Sequence, residues 1–510
     1  MRPADRLVIN TGAQYIRTIV NILLSLYSTR LILSILGAED YGIYTLIAGV
    51  ISMLSFVTNA LVVTTQRFLS FYQGKGDVFE VKKIFSNSLI LHLIIGVLFV
   101  IIIELTGLFL FDGFLNIPQA RVDAAKQIFH FTVLILLLNF ITAPFRALII
   151  SRENIVYVSI IDVIDGILKV VIALILPFLT YDSLVGYGLL LSIIFIFNLF
   201  AHAIYSFKKY EECIIPELNH LSRSKVLELV SFAGWTIYNI GGVIIRTQGI
   251  AILLNKYIST IINASYGLAI QISGSVSFLS LSLLNAINPQ IMKSEGEGNR
   301  QKMIRLSEMA SKFSLFLMSL FVIPAIFEMP ALMSLWLKDV PEKTVFFTRM
   351  ILIASIFDQL TLGLGSAIQA TGNIKKYSLA VNTLKMVTLP TAIICLKLGL
   401  GVNSVMYCFI LFELLCATIR LPFVRINTGL SYSSFLNKVV KKEIIPIMVL
   451  IVGCCLIVYL FDFRFRFVLT FFVSIILFIP SIYFGGLCYD EKIYANDIIK
   501  SLRQKIIIIN

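Results

Sequence analysis

The chain has 510 residues, of which 58% are hydrophobic and 14% charged, with a formal net charge of +13. Its mean hydropathy of +0.92 is too high, and its charge too sparse, for a water-soluble globular protein. The basic excess alone would suit a nucleic-acid binder, but the cations collect in alternate loops between apolar stretches, which is a membrane-topology signal instead.

A helix needs about 20 apolar residues to cross roughly 30 Å of hydrocarbon with every backbone polar group paired inside it. By that criterion about 14 transmembrane helices are predicted. The first six fall at residues 8–36, 41–65, 88–111, 127–150, 155–180 and 184–207. A second six follow at 228–255, 262–288, 308–337, 346–369, 376–396 and 401–424, and two more at 444–461 and 466–489. The first span carries Arg17 and Arg30 and is too long for a signal-peptide core, so it reads as a retained helix rather than a cleaved leader.

With these spans, one side of the membrane receives 25 of the 42 Lys and Arg and the other side 8, the remaining 9 lying within spans. The positive-inside rule then places both termini in the cytoplasm. A missed span would invert every later loop, and the separation survives to the last one. Six cysteines (Cys395, Cys408, Cys416, Cys454, Cys455 and Cys488) lie in or at the ends of spans and Cys213 in a loop, with no disulfide or zinc spacing among them.

The second half of the chain repeats the first. Tyr41-Gly42 matches Tyr266-Gly267, and Gly74-Lys75-Gly76-Asp77 matches Gly296-Glu297-Gly298-Asn299. Glu104 to Phe111 matches Glu328 to Leu335, and Ser151 to Ile155 matches Ala370 to Ile374. Each block holds six spans, so the duplication preserves orientation. The expected fold is an all-α polytopic membrane protein: an N-lobe over 1–209, a cytoplasmic linker over 210–227, a C-lobe over 228–424, a loop over 425–443, two further helices over 444–489 and a tail over 490–510. The lobes are expected to be related by a pseudo-two-fold axis along the membrane normal, with a cavity between them.

Polar residues inside the spans carry the functional question. On the first helix Gln14, Arg17, Asn21, Ser25 and Ser28 recur at three- and four-residue intervals and share one face. The fifth carries Ser159, Asp162, Asp165 and Lys169, the seventh Asn239 and Arg246, and the eleventh Asn382 and Lys385. One embedded charge costs about 2.5–3.5 kcal/mol on insertion scales, so four cations facing lipid would cost roughly 10 kcal/mol. A shared polar cavity removes most of that cost. The plainer alternative is that Asp162 or Asp165 neutralises Lys169 while Arg30, Arg146, Arg349 and Arg420 reach the interface from near helix ends. Arg17, Arg246 and Lys385 have no carboxylate within one helical turn. Nine embedded cations, Lys312 among them, face four embedded acids, Asp162, Asp165, Asp358 and Glu413. That excess of positive charge favours an anionic cargo.

Leu36-Gly37-Ala38-Glu39-Asp40-Tyr41-Gly42-Ile43-Tyr44, with Gln66-Arg67-Phe68 after the second span, resembles the polysaccharide-flippase branch of the multidrug, oligosaccharidyl-lipid and polysaccharide exporter superfamily. The resemblance covers nearly the whole chain. It implies two six-helix lobes that alternate access to a cationic central cavity, and a polyprenyl-diphosphate-linked glycan flipped from the inner to the outer leaflet of a bacterial inner membrane for surface polysaccharide such as lipopolysaccharide. It implies basic residues on the first helix of each lobe holding the diphosphate, here Arg17 and Arg246, with Arg30, Lys169 and Lys385 as further contacts and Asn21 and Asn239 beside them. In the lipid II flippases, which this layout resembles, the last two helices shape a groove for the lipid tail.

Guanidinium groups bind phosphate oxygens in bidentate fashion, and moving negative charge outward across an inside-negative membrane gains about 2.3 kcal/mol per charge per 100 mV. No cofactor is expected; Asp162, Asp165, Asp358 and Glu413 would take a proton or sodium ion if transport is coupled to one. The expected partners are membrane lipids, glycosyltransferases and a polysaccharide polymerase, with no nucleic acid and a monomeric chain. A cation-coupled drug exporter of the same superfamily is the first alternative, disfavoured by the positive excess. A membrane polymerase or acyltransferase is the second: only His92, His130, His202 and His220 offer histidine bases, and Gly363-x-Gly365 lies in a span without the strand a nucleotide loop needs.

Overall fold

The computed structural model describes residues 3–52, 55–109, 111, 118–178, 180, 182–216, 219, 221–258, 260–337 and 340–493, apart from certain helical side chains that include Arg30. Among the described residues the regular structure is entirely helical, as an apolar chain with internally paired backbone requires. Ten of the described helices are long and apolar enough to cross a membrane, or eleven if one pair bent by 43° counts as a single span. The chain divides into two compact units, residues 8–237 and residues 238–510 together with 1–7.

The first unit holds α1 (Pro3–Ser52) from Val8 onward, α2 (Ser55–Gly74), α3 (Val78–Phe109), α4 (Val122–Ser151), α5 (Ile155–Ile175), α6 (Ser183–Lys209) and the start of α7 (Arg223–Tyr257). α4 packs on α2, α3 and α6. Ala125, Ile128, Phe129, Val133, Leu136 and Phe140 recur along it at helical spacing and bury one face against Leu184, Tyr187 and Leu191 of α6. The first two expected spans meet within α1, which breaks at Gly37 (φ 75°, ψ 169°). No atom lies within 4 Å of where a Cβ would sit, so it is the backbone angle that calls for glycine there. Just beyond the break, Arg121 donates from Nε to Asp40 at 2.7 Å and from Nη1 to Asp182 at 2.5 Å. Asp182 also caps α6 by accepting from the Leu184 and Val185 backbone N–H groups. Hydrogen bonding from Arg121 holds the Asp182 carboxyl below its ordinary carboxylate range.

The second unit adds α8 (Thr260–Gly296), α9 (Arg300–Phe327), α10 (Met329–Trp336), α11 (Thr344–Gln359), α12 (Leu362–Thr371), α13 (Lys375–Lys397), α14 (Asn403–Thr428), α15 (Tyr432–Phe435), α16 (Lys441–Leu460) and α17 (Arg466–Ser481). α11 and α12 are the bent pair, on the expected span 346–369. Gly363 sits at that bend, where an added Cβ would lie 2.4 Å from the Ser307 carbonyl oxygen and 2.7 Å from the Ser311 nitrogen. Close backbone approach between α12 and α9 therefore accounts for this glycine. α16 and α17, outside the duplication, pack on α9 through Phe316, Ile323, Leu450, Cys454 and Phe478. Glu328, at the end of α9, pins α17 by accepting from Arg466 Nε at 2.9 Å and Thr470 Oγ1 at 2.7 Å.

α5, on the expected span 155–180, carries three charges, Asp162, Asp165 and Lys169, and those set it outside the ten. The repeated motifs turn alike. Gly76 and Gly298 both take left-handed angles, φ 72° and 76°, and the residue after each accepts from a backbone N–H three positions on, Asp77 from Glu80 and Asn299 from Lys302. The second pair of turns behaves similarly, with Glu153 at φ 59° and Gly372 at φ 80°. The tail from residue 494 lies outside the described residues.

Candidate functional site

In the first unit the polar stripes of α1 and α5 meet. Asp162 accepts from Arg17 Nη1 at 2.8 Å and, in bidentate fashion, from Arg146 of α4 at 2.8 and 2.7 Å. Three residues on, Asp165 pairs with Lys169 at 2.6 Å and accepts from Asn198 of α6 at 2.7 Å. The side chains of Arg17, Arg146 and Lys169 are 18%, 33% and 35% exposed, so each cation is paired yet still reachable.

These groups line two adjoining cavities inside the unit. One, of about 440 Å³, is bounded by Arg17, Thr18, Asn21, Ser25, Arg146 and Asp162. The other, of about 570 Å³, shares Asn21, Ser25 and Asp162 with it and continues past Asp165, Lys169 and Asn139 to Tyr41, Tyr44 and Tyr187. Both volumes lie within the roughly 300–1,000 Å³ range of small-molecule sites. Asn21 stands at the junction with its Oδ1 buried and unpartnered. Tyr44 and Tyr187 meet edge to face, 5.0 Å between centroids, and give the larger cavity an aromatic wall.

The second unit holds a comparable cluster more deeply buried. Arg246 of α7 pairs with Glu413 of α14 at 2.6 Å, each side chain 5% exposed. Lys385 of α13 lies 3.4 Å from both Glu413 and Asp358, and Arg420 of α14 pairs with Asp358 at 2.6 Å. Arg246 also lies over the Phe409 ring, 4.2 Å from its centroid. Asn239 accepts from Asn382 Nδ2, joining α7 to α13. Each cluster contains three cations and two carboxylates, a net of one positive charge.

Of the sequence-derived candidates, Arg17, Asn21, Asp162, Asp165 and Lys169 come together in the first unit, and Arg246, Asn239, Asp358, Lys385 and Glu413 in the second. The Arg30 side chain lies outside the described ones. Arg17, Arg246 and Lys385, which lack an acid on their own turn, find one on another helix. Arg146 and Arg420, open to a reading as helix-end cations, are each a main partner of a partly buried carboxylate, Asp162 and Asp358. Arg349 instead donates to the carbonyls of Ile326 and Phe327 at the end of α9, and Lys312 pairs with Glu491, outside the spans, at 2.5 Å. The tyrosine wall was not anticipated; Tyr41 and Tyr44 stand in the motif around Gly37, but only the turn of the chain there faces them toward α5.

No protein-family model matches the chain. It is 22% identical over 316 residues to an uncharacterized membrane protein, EpsK, of Bacillus subtilis (strain 168), and spans 62% of that relative's length. Among solved structures it is similar to a MATE transporter in the bent conformation, with a TM-score of 0.73 at 16% identity, over 84% of this chain and 96% of that one. It is likewise similar to a multidrug resistance MATE family transporter of the MOP superfamily in an outward-facing conformation (TM-score 0.71, 17% identity, 84% and 96% covered). A MOP superfamily transporter from Pyrococcus furiosus Vc1, described as having a binding pocket of reverse polarity, aligns with a TM-score of 0.70 at 16% identity over 85% and 97% of the chains. The fold is of the MATE type. It is a multi-pass membrane protein whose regular structure, among the described residues, is helical.

Proposed function

We propose that this chain is a transporter that moves a diphosphate-lipid-linked oligosaccharide from the inner to the outer leaflet of a bacterial inner membrane. The observation that carries the reading is the track in residues 8–237, where reachable Arg17, Arg146 and Lys169 run into a tyrosine-walled cavity that also presents Asn and Ser side chains. Guanidinium forks suit phosphate oxygens; tyrosine rings with Asn and Ser side chains suit the apolar faces and hydroxyl groups of a sugar. An arriving diphosphate would compete with Asp162 for Arg17 and Arg146, so binding and release differ by an exchange of ion-pair partners rather than by exposure of bare charge. Arg246 and Lys385, 4% and 7% exposed, support the second unit from within and contribute charge rather than contact. A coupling proton or sodium ion would enter at Asp162 and Asp165, which line the cavity. Glycosyltransferases that build the lipid-linked glycan and a polymerase that consumes it are the partners this function requires.

The two carboxylates facing the tyrosine wall favour a second reading, export of organic cations, because acids and aromatic rings together attract them. One experiment separates the readings. In cells lacking this gene, the wild-type chain is expected to restore outer-leaflet exposure of lipid-linked glycan, scored by lectin labelling of intact cells, and R17E/R146E is not. Efflux of a fluorescent organic cation that depends on Asp165, with no change in lectin labelling, would decide for the exporter.

A further inference from the structure

A different cavity opens at the Arg300 end of α9, in residues 238–510. Its volume is about 450 Å³, and it is lined by Asn299, Lys302, Arg305, Glu308, Ser434 and Lys438 among others. The rim cations are loosely held. Lys302, 50% exposed, lies 3.3 Å from Glu297, and Arg305, 47% exposed, 3.0 Å from Asp490; exposed pairs of this kind contribute about 0–1 kcal/mol, so both side chains can re-aim. Beneath them the balance reverses. Glu308 is 6% exposed and its Oε1 has no hydrogen-bond partner. Lys312, one turn along α9, is committed to Glu491 Oε2 at 2.5 Å and to the Lys438 carbonyl at 3.2 Å. Glu443, which feels the Lys312 charge, is 2% exposed with both oxygens unpartnered. Glu308 accepts from Ser434 and feels the Lys438 and Lys312 charges, but its Oε1 stays unpartnered, and an unpartnered buried acceptor is costly.

We propose that this cavity binds a phosphoethanolamine headgroup of phosphatidylethanolamine, its ammonium donating to Glu308 and its phosphate facing Lys302, Arg305 and Lys438. The rim supplies what a phosphate needs and the floor what an ammonium needs. α9 is one of the membrane-length helices, so its end falls at headgroup level, and Ile304 in the cavity lining offers an apolar contact for the glycerol end. A purely anionic headgroup would meet Glu308 as a like charge. A choline headgroup has no N–H to give it.

The test uses the purified full-length chain and native mass spectrometry with added phosphatidylethanolamine, phosphatidylcholine or phosphatidylglycerol. A hydrogen bond to a charged group contributes about 1.5–3 kcal/mol, so phosphatidylethanolamine is expected to bind about tenfold more tightly than the other two. E308Q is expected to erase that preference, and K302A/K438A to weaken all three lipids alike. Equal binding of the three lipids by the wild-type chain, or a preference that survives E308Q, overturns the proposal. Soluble phosphoethanolamine binding as tightly as the lipid overturns the assignment to a membrane lipid. Should E308Q fail to fold, the wild-type lipid series and K302A/K438A still decide.

Discussion

Glu413→Gln tests the buried cluster of the second unit most directly. In the native chain Arg246, Lys385 and Arg420 share Asp358 and Glu413, leaving one net positive charge. E413Q raises that to two and leaves Arg246, 5% exposed and 2.6 Å from the altered group, without its direct ion-pair partner, while Lys385 retains Asp358 at 3.4 Å. Removing one partner of a buried ion pair costs about 3–5 kcal/mol, and in a unit of this size each kcal/mol lowers the melting temperature by about 2 °C. A fall of about 6–10 °C is therefore expected in thermal unfolding of the purified protein. R246M/E413Q restores the net of one positive charge with two cations on one carboxylate, so it is expected to melt well above the sum of the single losses, with a coupling of about 1–3 kcal/mol. A shift below about 2 °C for E413Q, or strict additivity in the cycle, would refute the claim that these charges are mutually compensated.

Gly363→Ala places a methyl carbon against the Ser307 and Ser311 backbone, so a loss of about 3 kcal/mol is expected, seen as a lower melting temperature and faster hydrogen exchange in α9 and α12. An unchanged melting temperature would show that the helices can separate at no cost. Because Arg121 lowers the folded-state value of Asp182, that pair stabilises above the ordinary Asp value of about 3.9 and loses its contribution as pH falls through the lower folded value. Asp182 is 35% exposed, so the contribution is at most about 1 kcal/mol; D182N is expected to melt slightly lower at pH 7 and to show a shallower fall in melting temperature below pH 4, and an unaltered acid slope counts against it. R17E and R246E are expected to separate: R17E lowers lectin labelling of surface glycan with near-normal protein levels, whereas R246E, repelling Glu413 from within the core, lowers the amount of folded protein. Equal protein levels for both would contradict the contrast in burial. Glu328→Ala removes the acceptor of Arg466 and Thr470 and is expected to free α17, read as raised protease or exchange sensitivity in residues 466–481; unaltered protection would assign the anchoring of α17 to its apolar contacts alone.

Hydropathy and helical spacing are local properties, and for that reason the membrane class, the approximate positions of most helices and the shared faces of Gln14 to Ser28 and Ser159 to Lys169 could be read from the chain alone, whereas the span expected at 41–65 runs instead across the end of α1 and the start of α2. The duplicated turns were legible too, since left-handed backbone at Gly76 and Gly298 leaves its mark in residue type. Charge compensation was not. Arg17 and Asp162 are 145 positions apart, Arg420 and Asp358 are 62 apart, and nothing in a single helix states which neighbour it will face. Only helix packing decided that six of the nine embedded cations gather with carboxylates in two clusters, that Arg146 belongs to the site, and that three tyrosines wall the cavity. The physical reason is that a half-buried charge in an apolar chain takes whichever opposite charge the fold brings within about 3 Å, and that distance is set by tertiary contacts.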